Sequence, residues 1–179
     1  MRKTLLVVSV LVVAVTLLWC QASLGEERTY TNQQYGFSFP IPKGMKLYTP
    51  EHPGPFTFKS DNILFLANRM IPSEFIMMNV FAAKEKDLQN LKSSLDSRES
   101  PQEGYKRVSV QYNTIGKNQG IRAVEHIFHK GGNTARTMRQ VFFIRKGKGL
   151  CFTASANADR FQEANKALFE PVFRSITFE

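Results

Sequence analysis

Residues 106–156 read KRVSVQYNTI GKNQG IRAVEHIFHK GGNT ARTMRQVFFIR KGKG LCFTASA. Four runs rich in β-branched and aromatic residues, at 106–115, 121–130, 135–145 and 150–156, are joined by links that each carry glycine. Apolar and polar positions alternate within the runs, the period of a strand with two distinct faces. Tight antiparallel connections favour glycine because their central residues need positive φ. The stretch is therefore expected to form a four-stranded antiparallel meander. If Gly131-Gly132 make a two-residue turn, Lys130 stands opposite Asn133 and Glu125 opposite Met138. That register puts Glu125, His129 and Arg136 on one face and Arg122, His126 and Arg139 on the other. It predicts a cross-strand ion pair between Glu125 and Arg136, which explains these charges as well as a binding site would.

Working outward, shorter runs at 37–41, 56–59, 63–68 and 76–82 lie between Pro, Gly and Asp-Asn punctuation and read as four more strands. From Lys84 the period becomes helical, with Leu88, Leu91 and Leu95 on one stripe, until Ser100-Pro101 stops it. Beyond the meander, Asp159 and Gln162 have the spacing of a capping box, and Phe161, Leu168, Val172 and Ile176 recur at helical intervals. Pro171 requires a kink or a fresh start in that helix. The sum is an α+β domain: an antiparallel sheet of six or seven strands with helices packed against it.

The first residues have a different character. Arg2 and Lys3 precede an apolar run from Leu5 to Trp19 that only Ser9 and Thr16 interrupt, and small residues follow at Ala22, Ser23 and Gly25. This reads as an export signal over residues 1–25, cleaved after Ala22 or Gly25, ahead of one domain over 26–179. Two rivals stand beside cleavage: an uncleaved anchor, for which the run is slightly short of about 20 apolar residues, and lipidation at Cys20, against which Trp19 speaks. Membrane contact is expected only in those two cases. Loss of residues 1–25 removes Arg2 and Lys3 from 24 basic residues and none of 15 acidic ones, so 22 against 15 leave a formal charge of +7. It also removes Cys20, leaving Cys151 without a disulfide partner.

The segment Tyr30-Thr31-Asn32, then Tyr35-Gly36-Phe37-Ser38-Phe39 and Ile41-Pro42-Lys43-Gly44-Met45, resembles the opening of PsbP and Mog1-like domains, with Met45 where an aromatic is usual. The likeness runs through the central helix and the glycine-linked meander to a closing helix that ends in Phe173-Arg174-Ser175-Ile176-Thr177-Phe178. The resemblance implies an αβα sandwich around an antiparallel sheet, and a non-catalytic helper such as an assembly subunit or a partner of another protein. It assigns no ligand residue to this chain, and fold alone does not fix function.

The chain has no Gly-x-Ser-x-Gly elbow, no His-Glu-x-x-His, no phosphate-cradling glycine loop and no paired cysteines at metal spacing. His126 and His129, three apart on one strand, point to opposite faces and are not expected to share a metal ion. Cys151, between Leu150 and Phe152, is expected to behave as a small buried hydrophobe rather than a nucleophile. No catalytic residue, metal site or cofactor is therefore expected. The basic excess carries the functional reading: Arg145, Lys146 and Lys148 share a loop, with Arg136 and Arg139 in the same meander, and together they are the candidate contact with an anionic surface or partner. The expected role is an exported, non-catalytic binding or accessory protein that meets a protein partner or an anionic envelope component. Nucleic acid is disfavoured because export removes it. The alternatives are a membrane-held structural module and an enzyme with an unrecognised site.

Overall fold

The computed structural model describes residues 28–58, 62–70, 73–81, 87–97, 104–118, 120–131 and 135–179. The expected export signal and Cys20 lie outside them. The strands are β1 (Thr29–Asn32), β2 (Phe37–Pro40), β3 (Lys46–Tyr48), β4 (Ile63–Arg69), β5 (Glu74–Phe81), β6 (Tyr105–Ile115), β7 (Ile121–Lys130), β8 (Arg136–Arg145), β9 (Lys148–Asn157) and β10 (Thr177–Phe178). Helix α1 spans Asp87–Ser97; α2 (Phe161–Ala164), a π-helical turn (Asn165–Phe169) and α3 (Glu170–Ser175) form one closing helix. A seven-stranded antiparallel sheet runs in the order β3-β4-β5-β9-β8-β7-β6, and a small sheet in the order β1-β2-β10. This is the α+β arrangement expected from the meander, with its edge formed by β6.

Both faces of the large sheet are covered, which is why β7 and β9 bury successive residues instead of alternating ones. On one face, Ala123, Val141, Phe143, Phe152, Ala154 and Ile76 meet the closing helix and the small sheet. Tyr30 and Phe39 pack on Phe65, with ring centroids 4.7 and 5.1 Å away, and Phe173 meets Phe152 edge-on at 5.0 Å. Each fully buried phenylalanine of this core contributes roughly 1.5–3 kcal/mol by leaving water. On the other face the stripe of α1 does its expected work: Leu88 and Leu95 close over Val124, joined by Leu91, Val110, Phe142 and Ile144. The guanidinium of Arg107 on β6 donates to the Leu95 and Asp96 carbonyls, which caps the helix where its dipole is negative.

Four expectations need correction. Lys130 pairs with Arg136 and Glu125 with Val141, a register three residues away from that of a two-residue turn. The connection between β7 and β8 is longer, and an odd shift moves every side chain of β8 to the other face. Arg139 therefore shares the face of Glu125, and Arg136 does not. Residues 56–58 form no strand, and Phe56 instead packs edge-on against the Tyr48 ring at 4.9 Å. The capping box at Asp159 is absent: the N-cap is Arg160, with no side-chain cap bond. The sequence reading also passed over β3 and β10, which have three and two residues. Pro171 behaves as expected, since a fresh helix starts beside it after the π-helical turn.

Candidate functional site

The β8–β9 hairpin turns on Lys146 and Gly147, both left-handed with φ of 47° and 72°, so that Arg145 pairs with Lys148 across a two-residue turn. Antiparallel pairing brings this turn to the same end of the sheet as the β6–β7 link, because Ala123 stands opposite Phe143 and Thr114 opposite Arg122. The C-terminal strand binds the two links together. Asn118 donates through its amide to the Phe178 carbonyl at 3.0 Å, and the Arg145 guanidinium lies 5.6 Å from the Phe178 ring. Lys117, Arg122, Lys146 and Lys148 are exposed there, so one end of the domain carries a group of cations.

The five expected contact residues divide between this end, the far end of β8 and the interior. Arg145 donates to the Tyr35 carbonyl at 3.3 Å and Lys146 to the Gln33 carbonyl at 3.3 Å, so both also hold the β1–β2 turn. Arg136 sits at the far end of β8, about 30 Å away at the usual strand rise. It donates to Ser155, Ser73 and Asn157 and covers the Phe75 ring at 5.3 Å. Arg139 is 5% exposed and lies beneath the closing helix. The structure thus gathers Arg145, Lys146 and Lys148, and separates Arg136 and Arg139 from them.

Arg139 is the centre of a buried polar network. Its Nη2 lies 2.5 Å from Glu125 Oε2 and its Nε donates to the same oxygen at 2.8 Å. Nη1 donates to Asn165 Oδ1 at 2.9 Å and to Glu170 Oε2. The Glu125 carboxylate also accepts from the amides of Gln111 at 2.9 Å and Asn113 at 3.4 Å. The guanidinium lies 4.6 Å from the Phe173 ring centroid. In a regular α-helix, Asn165 and Glu170 would lie about 140° apart around the axis; the i→i+5 closure of the π-helical turn brings them toward one side. Burial alone would raise the pKa of Glu170, but its bonds to Arg139 and Arg174 outweigh that and hold the carboxyl below its ordinary value. The network latches the closing helix to the sheet. Only the correct register would have revealed it in the sequence, and nothing there marks Glu170 as a partner.

The remaining candidates occupy structural positions. His126 is fully buried, with Nε2 2.8 Å from the Tyr105 hydroxyl and its ring stacked on Phe128. His129 lies on the opposite face, Nδ1 2.7 Å from Thr137 Oγ1, so the two imidazoles are divided by the sheet as expected. Burial pushes the Cys151 thiol up to about 12, against a weaker lowering by Thr153. It is a protonated, 3% exposed side chain. Among the described residues no group of histidines, cysteines and carboxylates has metal-binding geometry, and no helix is long and apolar enough to cross a membrane.

No protein-family model matches the chain, and no curated protein matches it in sequence. Solved structures do. The cyanobacterial PsbP of Synechocystis matches with a TM-score of 0.57 and 13% identity, over 88% of this chain and 96% of that one. LpqN of Mycobacterium tuberculosis, described as involved in cell envelope biogenesis, gives 0.54 and 13%, over 87% and 86%. The Ran-binding protein Mog1p of Saccharomyces cerevisiae gives 0.42 and 9%, over 84% and 94%. At these identities the shared property is the fold: this chain has the PsbP-like α+β architecture that its opening residues resemble.

Proposed function

We propose that the protein is an exported, non-catalytic accessory protein of the cell envelope that binds an anionic component through the β8–β9 hairpin end. The observation that carries this reading is the convergence of Lys117, Arg122, Lys146 and Lys148 on one end of a domain with a large basic excess. Such a group of like charges attracts anions beyond contact range. The charged, apolar and small-residue order of residues 1–25 supports export of the domain over 26–179. The fold shared with LpqN, a protein of envelope biogenesis, supports the compartment. The separated histidines and the protonated Cys151 thiol favour binding over catalysis.

The test is cosedimentation with vesicles of phosphatidylglycerol and phosphatidylcholine in 50 and 200 mM salt. Binding should need the anionic lipid, weaken with salt, and fall at least fivefold in a Lys146→Glu, Lys148→Glu variant that unfolds at the wild-type midpoint. Equal binding by wild type and variant would exclude the hairpin end. Mass spectrometry of the exported protein should find a new N-terminus after Ala22 or Gly25; an intact Met1 in the membrane fraction would favour the anchored alternative instead.

A further inference from the structure

The hairpin end leaves a second surface without a role, the outer edge of β6. At 11 residues this strand is as long as any in the sheet, and among the described residues it pairs on one side only, with β7. An exposed edge offers alternate N–H and C=O groups to any extended chain, so proteins usually blunt it with charge or a bulge. β6 does both in its first part: Lys106 and Arg107 are charged, and a bulge between Arg107 and Ser109 turns out Val108, which is 53% exposed. Beyond the bulge the protection thins to one local bond, the Thr114 N–H donating to Asn113 Oδ1 at 2.7 Å. Residues 109–115 read SVQYNTI, uncharged and strand-forming, and pair in regular register with β7.

We propose that residues 109–115 take up an extended acidic segment of another protein as an eighth strand, on a surface that adjoins the hairpin end at Arg122 but takes a different class of partner. Tyr112 is the side-chain handle. It is 39% exposed, with the Arg122 guanidinium 4.2 Å and Lys92 Nζ 5.8 Å from its ring centroid. An apolar side chain of the added strand covers Val110 and Tyr112, and a carboxylate two residues along on the same face reaches Arg122. Among the described residues, two acids near the edge are already held by cations, Asp96 by Lys92 and Glu125 by Arg139. The excess positive charge left at Lys106 and Arg122 selects an acidic strand. It also disfavours a second copy of this chain, whose own β6 would bring like charges together.

The experiment uses the 15N-labelled protein and a capped octapeptide, Val-Thr-Glu-Thr-Val-Thr-Glu-Thr, which puts valine and glutamate alternately on one face of a strand, at neutral pH. Backbone amide shifts should concentrate in residues 109–115 and their β7 partners. Methylating every second peptide nitrogen, in either of the two phases, removes hydrogen bonds without altering charge; one phase should weaken binding at least tenfold and the other little. Arg122→Glu, an exposed substitution, should weaken it at least fivefold. The same octapeptide with lysine in place of glutamate should not bind. Shifts confined to residues 145–148 would overturn the edge and leave the hairpin reading standing. Equal loss in both methylated phases, loss in neither, absence of shifts at 1 mM peptide, or the same shifts produced by raising protein concentration alone would each overturn the proposal.

Discussion

Replacing Arg139 by methionine isolates the buried network, because methionine keeps much of the aliphatic bulk and removes the charge. Glu125 is then left with a side chain 4% exposed, the amides of Gln111 and Asn113 as donors, and no cation. Removing one partner of such a pair costs about 3–5 kcal/mol, because the other charge remains buried and uncompensated. Glu170 adds little to this figure: it is a third exposed and keeps Arg174 at 2.7 Å. Against a total stability of about 5–15 kcal/mol, the loss lowers the melting temperature by roughly 10 °C for a domain of this size. Urea unfolding followed by circular dichroism measures it. Adding Glu125→Gln to Arg139→Met removes the stranded charge and should recover at least about 1.5 kcal/mol. A single-variant loss under about 1 kcal/mol, or further destabilisation by the second substitution, would refute the view that Arg139 balances a buried charge.

Three more outcomes follow from other positions. Because Arg139 and Arg174 hold the Glu170 carboxyl below its ordinary value, of about 4.3 in a free chain, its contribution is complete above that value and is lost as pH falls through the folded one. The urea midpoint should drop between about pH 5 and pH 3, and Glu170→Gln should flatten the slope; an unchanged slope refutes the assignment. The Cys151 thiol, pushed up to about 12, should react with a disulfide reagent at pH 8 only as fast as the protein opens, measured in a Cys20→Ser background; rapid labelling of the native protein contradicts its burial. Lys146 holds φ at 47°, a conformation costing about 1–2 kcal/mol for most side chains but less for asparagine. Lys146→Asn should therefore raise stability by about 0.5–1 kcal/mol in thermal unfolding, and a loss larger than 1 kcal/mol shows that its bond to Gln33 matters more than the strain.

The meander was legible because two signals agreed over about 50 residues: alternation within the runs and glycine at the links. The stripe of Leu88, Leu91 and Leu95 was legible for the same reason, one period sustained across an element. Failures came where only local information was present. The run at 56–59 alternates like a strand, yet Pro53 and Pro55 lie beside it and Phe56 finds its partner in Tyr48 instead. β3 and β10 are too short to show any period. They exist because β4 and β2 offer them edges, a tertiary cause that their own residues do not record.

The site was legible as a quantity of charge and not as a place. Arg136, Arg139 and Arg145 and the lysines of the β8–β9 hairpin count alike in the sequence, but the fold divides them by chemistry. The planar guanidinium forks bind several acceptors at once or lie over rings: Arg139 over Phe173, Arg136 over Phe75, Arg145 over Phe178. They hold sheet, helix and terminal strand together. Lys148, and Lys146 beyond its single bond to Gln33, keep compact and strongly hydrated charges in water, where an anion can reach them. One misjudged connection, at residues 131–135, was enough to exchange Arg136 and Arg139 between faces and hide this division. An arginine that alternates with apolar residues on an interior strand is therefore better read first as a bridge within the fold, and the hairpin lysines as the charge available to a partner.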